Sequence, residues 1–195
     1  MRALPARLRS AGWRAALCSA ALAVAVLAPL RGHGQGAATV EEHAVKAAYL
    51  FNFADYVQWP AAAGETSAFT IGVAGAPALA RELADATADR TIAGRPIDVR
   101  ELDGAGAVDE LDILFVGRDE AALLADYVAA VGEQPVLTVT EFEGALERGS
   151  MINFTIVEDR VRFEVSLPAA ERSRLRLNAR LLAIAERVLR RSGRQ

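Results

Sequence analysis

The chain has 195 residues, 52% of them hydrophobic, and a formal net charge of −3 at pH 7, which suits one domain with a substantial core. Residues 1–36 hold five arginines and no acid, so the remainder has 17 basic residues against 25 acidic ones and a formal charge of −8. A domain this acidic repels nucleic acid and anionic membrane surfaces, and we exclude both as default partners.

The first 36 residues have the pattern of a secretory signal. Four arginines between positions 2 and 14 precede an uncharged apolar run at 15–30, and small residues follow at 32–38. The run is short for crossing ~30 Å of hydrocarbon. We therefore predict that residues 1–36 are a cleaved signal peptide and that the protein is periplasmic, with an uncleaved N-terminal anchor as the alternative.

The only cysteine, Cys18, lies inside this apolar run. Leu17 precedes it and most of the run follows it, which differs from a lipoprotein signal. The mature chain then has no cysteine and forms no disulfide, although its compartment would permit one. The predicted single domain, residues 41–191, must be stabilised by core packing.

The first half of this domain alternates helices and strands. A largely buried helix is predicted over 41–59, ended by Pro60, with Glu42 and Lys46 paired on its solvent side. The pattern next predicts a strand at 69–74, a helix at 77–88, a half-buried strand at 96–102 and a central strand at 112–116.

The second half contains a clear hairpin. Apolar residues alternate with polar ones over 152–156 and 161–165, and Glu158-Asp159 is the predicted connection. The other predicted elements are a helix capped by Asp119 and running to Val131, a strand at 135–140, a helical turn at 168–172, and a last helix capped by Asn178 and running to about Arg191.

This order of elements predicts an α/β fold. We expect a mixed, partly parallel sheet flanked by helices on both faces, with an antiparallel hairpin near one edge.

The search for catalytic groups finds none. His43 is the only histidine after residue 36, so a Ser-His-Asp device and a zinc site built on His and Cys are both disfavoured. Gly104 and Gly106 resemble part of a dinucleotide motif, but Asp109 stands where its third glycine would be. We predict a protein that is not an enzyme, with no metal and no cofactor.

A small anion is one possible ligand at the first strand-to-helix junction. Gly72 and Gly75 flank this junction, where the amino end of the following helix could accept an anion. An ordinary tight turn explains the two glycines better.

Three residues of the first helix form a candidate polar site. Asn52, Asp55 and Trp59 share one face at i, i+3 and i+7. Trp59 could line a pocket or anchor an interface, or it could close one end of the core. The polar residues could equally mark the solvent edge of the helix.

Three further residues are candidates for binding a partner or ligand. Arg162 and Glu164 project from the same face of the hairpin, where they could receive a partner or form a solvated salt-bridge network. Arg95, before Pro96, could bind a carboxylate with both guanidinium arms or be a plain turn residue.

The segment 45–60, VKAAYLFNFADYVQWP, resembles the opening helix of the YfiR/HmsC-like family of periplasmic proteins. The resemblance continues through the mature domain, at 94–97, 112–116, 136–140, 149–154, 160–165, 169–170 and 180–185. Its most specific parts are Gln58-Trp59-Pro60 and the hairpin sequence Arg162-Phe163-Glu164.

The resemblance implies a regulator. It implies that the protein binds the periplasmic sensor domain of a membrane-anchored diguanylate cyclase, represses cyclic di-GMP synthesis and so restrains biofilm formation, and that it forms a homodimer. The alternative is a periplasmic small-molecule binding module without a cyclase partner, its pocket near Asn52, Trp59 and Arg95.

The chain departs from the family pattern in four ways. Well-known members have disulfides, which this mature chain lacks, so redox sensing through them is not expected. Ser150 replaces a usual glycine, Ser166 a usual asparagine and Arg174 a common glycine. We expect these changes to alter local loop geometry and leave the fold intact.

Overall fold

The structure is a computed structural model that describes residues 34–60 and 68–191. The predicted signal peptide lies almost wholly outside these residues, and the described chain from residue 36 onward belongs to one compact unit. Within the described ranges, no helix combines the length and apolarity needed to cross a membrane.

The described elements follow the predicted alternation of helices and strands. The helices are α1 (Gly34–Tyr56), α2 (Pro77–Thr87), α3 (Leu124–Val131), α4 (Leu167–Arg172) and α5 (Ala179–Ile184). The strands are β1 (Val57–Gln58), β2 (Phe69–Ala74), β3 (Thr91–Ile92), β4 (Arg95–Leu102), β5 (Ile113–Val116), β6 (Leu137–Thr140), β7 (Ile152–Val157), β8 (Arg160–Ser166), β9 (Arg176–Leu177) and β10 (Arg187–Leu189).

Eight strands form one mixed sheet in the order β10-β8-β7-β6-β5-β2-β4-β3. The strands from β4 to β7 run parallel, whereas β7 and β8 form an antiparallel hairpin and β10 lies parallel to β8 at the edge. β1 and β9 form a separate antiparallel pair. The predicted mixed α/β sheet with a hairpin near one edge is confirmed.

Helices cover both faces of the sheet because the central strands are apolar on both sides. Ile113 and Phe115 of β5 belong to the larger core, which α1, α2, α4 and α5 cover. Leu114 and Val116 of the same strand pack in a second core with α3, around Tyr127. The continuous apolar run of β5 therefore reflects burial on both faces, as its sequence predicted.

The helix predicted from Asp119 to Val131 is wrong in its first half. Residues Arg118–Leu123 form a 3₁₀ segment with a kink at Glu120, and Asp119 caps no helix there. The Tyr127 hydroxyl donates a hydrogen bond to Glu120, which holds the Glu120 side chain to the following helix. The regular helix α3 begins only at Leu124.

The last predicted helix begins correctly and ends early. Asn178 Oδ1 accepts hydrogen bonds from the backbone N–H groups of Arg180 and Leu181, at 2.6 and 3.4 Å. The chain becomes extended at Ala185 and forms β10, with Glu186 N donating to Phe163 O at 2.9 Å. Pairing with the open edge of β8 outweighs the local preference for helix.

The solvent-side position predicted for Lys46 is also wrong, although its pairing with Glu42 is present. Lys46 is only 1% exposed. The buried face of α1 holds Leu50 and Phe53, whereas Val45 on the opposite side is 37% exposed. The helix ends at Tyr56, three residues before its predicted end, because the next two residues pair with β9.

Candidate functional site

A cleft of about 710 Å³ opens beside the hairpin, next to the carboxyl ends of β5 and β6. In parallel α/β sheets, ligands commonly bind outside the carboxyl ends of the strands. We call this feature the hairpin cleft. It is lined by Arg118, Glu141, Phe142, Glu143, Gly144, Glu147, Asn153, Phe154, Thr155, Ile156, Glu164 and Arg187.

The turn after β5 positions Arg118 at the cleft. Gly117 N donates to Ala74 O at 2.8 Å, so this turn packs directly against the end of β2. A Cβ atom at position 117 would lie 2.3 Å from Gly75 O, a separation that only glycine avoids. Gly75 itself has a φ of +62°, as the tight-turn interpretation of this junction predicts.

Four charged residues form a cluster behind the cleft wall, which we call the Lys46 cluster: Glu42, Lys46, Arg118 and Glu141. Lys46 Nζ donates to a Glu42 oxygen and to Glu141 Oε2, the latter at 2.5 Å. Arg118 donates to Glu141 twice, from its backbone N to Oε1 at 3.3 Å and from Nε to the backbone O at 3.1 Å. The cluster thereby ties α1 to both strand ends.

The pKa of the Glu42 carboxyl is lowered by this arrangement. Burial alone would raise it, because a charged carboxylate loses hydration. The hydrogen bond from Lys46 and the charges of Lys46 and Arg118 outweigh that effect. Glu42 therefore stays ionised to a lower pH than an exposed glutamate does.

Asn153 links β6 to the loop that forms one wall of the cleft. Its Oδ1 accepts hydrogen bonds from Thr140 Oγ1 at 2.8 Å and from Phe142 N at 3.1 Å, and the residue is 3% exposed. Thr140 Oγ1 also lies 3.0 Å from Ser150 Oγ. These buried bonds fix Phe142, and with it the course of the loop.

Glu164, one of the predicted site residues, lies in the cleft. It accepts two hydrogen bonds from Arg187, from Nε at 2.7 Å and from Nη2 at 3.0 Å. Arg187 Nη1 also lies 3.6 Å from Glu147. Arg162 is on the same hairpin face, opposite Thr155 in the register. Arg162 and Glu164 therefore share a face of the hairpin, as predicted, and the ion-pair partner of Glu164 is Arg187.

Trp59 and Arg95 meet at Phe69, near the amino ends of β2 and β5. The Trp59 ring lies 5.5 Å from the Phe69 ring, edge to face, and the Arg95 guanidinium lies 5.2 Å from its centroid. Arg95 donates two hydrogen bonds to the Asp112 carboxylate, from Nη1 to Oδ1 at 2.9 Å and from Nη2 to Oδ2 at 2.8 Å. The predicted bidentate contact of Arg95 thus exists within the protein, at the sheet end opposite the cleft.

The six predicted site residues do not form one site. Asn52 and Asp55 are exposed on α1, whereas Trp59 and Arg95 both contact Phe69. The cleft residues Arg118, Glu141 and Asn153 were not predicted. The sequence position of Arg118 and Glu141 could have indicated them. Each follows a buried strand of the parallel sheet, and ligands commonly bind at the carboxyl ends of such strands.

Glu141, Glu147 and Glu164 of the cleft lining form ion pairs with Lys46 or Arg187. No nucleophile–base pair occurs among the described residues of the lining. The described part of the chain also has no group of three or more His, Cys, Asp or Glu residues that could hold a metal ion.

The fold is an α/β sheet with an open, polar cleft beside its hairpin. The YfiR/HmsC-like family profile matches residues 43–186, and the chain belongs to this family, a family of periplasmic regulators. No curated protein matches the sequence significantly.

One solved structure shares the fold, and a second superposes less well. A conserved domain protein from Vibrio cholerae O1 biovar El Tor superposes with a TM-score of 0.55 at 12% identity, over 75% of this chain and 60% of that one. The chain thus spans about 60% of that protein's length. A Streptococcus ABC domain in complex with L-Trp has a TM-score of 0.47 at 10% identity, over 62% of this chain and 55% of that one.

The three substitutions relative to the family pattern have distinct surroundings. Ser150 is fully buried and donates from Oγ to Ile152 O at 2.8 Å. Ser166 is 5% exposed, and its N–H donates to Met151 O at 2.8 Å. Arg174 has a φ of +57°, which explains why glycine suits this position.

Proposed function

We propose that this protein binds the periplasmic sensor domain of a membrane-anchored diguanylate cyclase and represses cyclic di-GMP synthesis, without enzymatic activity of its own. The observation that carries the proposal is the family match over residues 43–186, which covers most of the described domain. The predicted signal at residues 1–36 supports a periplasmic location, and the resemblance supports a homodimer. Restrained biofilm formation would follow from lower cyclic di-GMP.

Repression by binding requires a preference for one state of the cyclase. A bound protein shifts a conformational equilibrium only by the difference between its affinities for the two states. The exposed Arg118, held by Glu141, and the Glu164–Arg187 pair suit such a preference, because fixed charges favour one arrangement of partner charges over another. We therefore place the cyclase contact on the hairpin side of the domain.

Capture of the partner from its own membranes tests this proposal. Full-length protein with a C-terminal tag is expressed in the native cell, crosslinked and purified from the membrane fraction. We expect mass spectrometry to find a diguanylate cyclase with a periplasmic sensor domain. A version lacking residues 1–36 is the control and should retain none. Failure of the exported protein to retain any membrane cyclase would overturn the proposal.

The dimensions of the cleft favour a second candidate function, that of a periplasmic small-molecule binding module. Its volume of about 710 Å³ falls within the range typical of ligand sites. The predicted position of the pocket, near Asn52, Trp59 and Arg95, differs from the cleft, whose lining includes none of these three residues. The two functions are compatible, since a ligand could bias the state that binds the cyclase.

A further inference from the structure

The charges of the domain are strongly segregated along the chain. Residues 171–191 hold seven arginines and two acids, a formal charge of +5, whereas residues 37–170 hold nine basic and 23 acidic residues, a formal charge of −14. The net charge of −8 that disfavours anionic surfaces is therefore an average over an acidic part and a basic part. The basic part can act separately only if the fold gathers its arginines on one side.

The last arginines of this segment lie at the end of the sheet opposite the hairpin cleft. The cleft is at the carboxyl ends of β5 and β6, and β8 runs antiparallel to β7 and thus away from that end. β10 is parallel to β8, with Leu189 opposite Ser166, so Arg190 and Arg191 follow where β8 leads into α4. Arg191 Nη2 lies 3.4 Å from Glu171 Oε2 of α4. Both arginines therefore lie toward the amino ends of the parallel strands.

Three more arginines lie at this same end. Arg174 Nη2 donates to Glu133 O at 3.5 Å, in the segment that leads into β6. Arg176 of β9 pairs with β1, and Trp59, which follows β1, packs on the first residue of β2. Arg180 is in the first turn of α5, directly after β9. Together with the last residue of α4, these arginines form a surface that we call the basic end: Arg172, Arg174, Arg176, Arg180, Arg190 and Arg191.

The guanidinium groups of the basic end are accessible. All six arginines are exposed. Within the described ranges, the side chains of Arg176, Arg180 and Arg190 have no hydrogen bond or ion pair. Arg191, although it contacts Glu171, keeps 74% of its side chain exposed. These cations are therefore available to an anionic partner.

The acids of the cleft are too distant to neutralise the basic end. β6 separates Glu133 from Glu141, and its four residues span about 13 Å. Salt at physiological strength screens exposed charges over about 8 Å. An anionic surface in contact with the basic end would therefore interact mainly with the arginines, although the domain as a whole is acidic.

The basic end also lacks the apolar side chains that favour a protein partner. The exposed large apolar residues of the described ranges are Val45, Leu123, Ile156 and Ile184. Val45 adjoins the Lys46 cluster, Leu123 follows β5 and Ile156 lines the cleft. Ile184 is the last residue of α5, which leads to the start of β10. Protein interfaces bury an apolar core, whereas attraction to an anionic lipid surface requires only cations.

We propose that the basic end docks on an anionic phospholipid membrane, with its exposed guanidinium groups on the lipid phosphates. A guanidinium binds a phosphate through two parallel hydrogen bonds, which a lipid headgroup can accept. This orientation turns the hairpin cleft away from the bilayer. The hairpin side, where we place the cyclase contact, then stays free for a protein partner.

Sedimentation with lipid vesicles tests the proposal on the exported protein, purified from the periplasm. One set of vesicles contains phosphatidylglycerol and phosphatidylcholine in equal parts, and the other contains phosphatidylcholine alone. We expect binding to the anionic vesicles, loss of that binding at high salt, and no binding to the neutral vesicles. Absence of binding to the anionic vesicles, or equal binding to both sets, would overturn the proposal.

A triple variant locates the contact. Arg176→Gln, Arg180→Gln and Arg190→Gln together remove three charges that make no contact within the described chain, so the melting temperature should change little. Each cation near an anionic membrane contributes about a factor of five in affinity, so binding should weaken roughly 100-fold.

A control variant with the same net charge separates the basic end from charge in general. Arg81→Gln, Arg100→Gln and Arg160→Gln remove three exposed arginines from α2, β4 and the start of β8. The control should bind anionic vesicles as the wild type does, and equal weakening in both triple variants would refute the assignment.

Membrane vesicles from the native cell distinguish lipid from protein as the partner. Binding to them that needs the arginines of the basic end, without binding to pure lipid vesicles, would indicate an acidic membrane protein and would overturn the lipid proposal. Lipid vesicles contain no cyclase, so their result is independent of the proposed repressor role.

Discussion

Lys46 of α1 and Glu141, which follows β6, form an ion pair with Nζ 2.5 Å from Oε2, although the two residues are 95 positions apart. The Lys46 side chain is 2% exposed and that of Glu141 13%. A lysine is tolerated in this buried face because Glu42 and Glu141 both accept from its ammonium group. The pair fixes α1 against the wall of the cleft.

Replacement of this lysine should be strongly destabilising. Lys46→Met keeps most of the side-chain volume but leaves Glu141 without its cation, and loss of one partner of a buried ion pair costs about 3–5 kcal/mol. Urea denaturation of the purified protein measures the change in the free energy of unfolding. Arg100→Met, which breaks the exposed pair with Asp98, is the control and should cost less than about 1 kcal/mol. A smaller loss for Lys46→Met than for the control would contradict the structural role of the cluster.

The lowered pKa of Glu42 predicts a specific dependence of stability on pH. A carboxyl whose pKa is lower in the folded state than in the unfolded one stabilises the fold above its ordinary pKa of 4.5. That contribution is lost as the pH falls below 4.5 and through the lower folded value. Denaturation measured between pH 6 and pH 3 should show a smaller loss of stability for Glu42→Gln than for the wild type. An equal loss of stability between pH 6 and pH 3 in Glu42→Gln and in the wild type would contradict the lowered pKa of Glu42.

The glycine after β5 should not accept even one methyl group. In Gly117→Ala the new Cβ would meet Gly75 O and C at 2.3 and 2.8 Å, and the two backbone segments must separate. We expect a loss of at least about 1–3 kcal/mol, the usual cost of overpacking. Gly106→Ala is the control, because a Cβ there meets nothing within 4 Å. Equal melting temperatures for the two variants would be incompatible with this packing.

Replacement by glycine of Arg174, which has a left-handed backbone conformation after α4, should stabilise the protein. Arg174 has a φ of +57°, a conformation that costs a non-glycine residue roughly 1–2 kcal/mol. Glycine would remove this conformational cost. The greater freedom of glycine in the unfolded chain offsets part of that gain, and the weak hydrogen bond from Arg174 to Glu133 O at 3.5 Å is also lost. Arg174→Gly should therefore raise the melting temperature slightly. Arg176→Gly, placed in β9, should lower it, and the opposite order would contradict the assignment.

Local patterns in the sequence predicted most of the sheet. The alternation of apolar and polar residues gave the hairpin, and the predicted Glu158-Asp159 connection has positive φ at both residues, 51° and 57°, as a two-residue hairpin turn requires. The buried strand β5 and the helix cap at Asn178 could be predicted equally well, because each depends on neighbouring residues in the chain.

Features that depend on distant contacts could not be predicted. Lys46 has the spacing of a surface salt bridge with Glu42, and only Glu141, brought in by the fold, accounts for its burial. Residues 187–189 have a helical pattern, yet they form β10 because the edge of β8 is open to them. Arg95 was a candidate for external ligands, and its carboxylate proved to be Asp112. Each case was decided by tertiary structure over local preference.

The repressor role is tested most directly by cellular cyclic di-GMP in a strain that lacks this gene. We predict that the level rises on deletion, that full-length protein restores it, and that a version lacking residues 1–36 does not. Exported Arg100→Gln should restore it as well as the wild type does. An unchanged level on deletion, or equal restoration by the version that is not exported, would contradict repression from the periplasm.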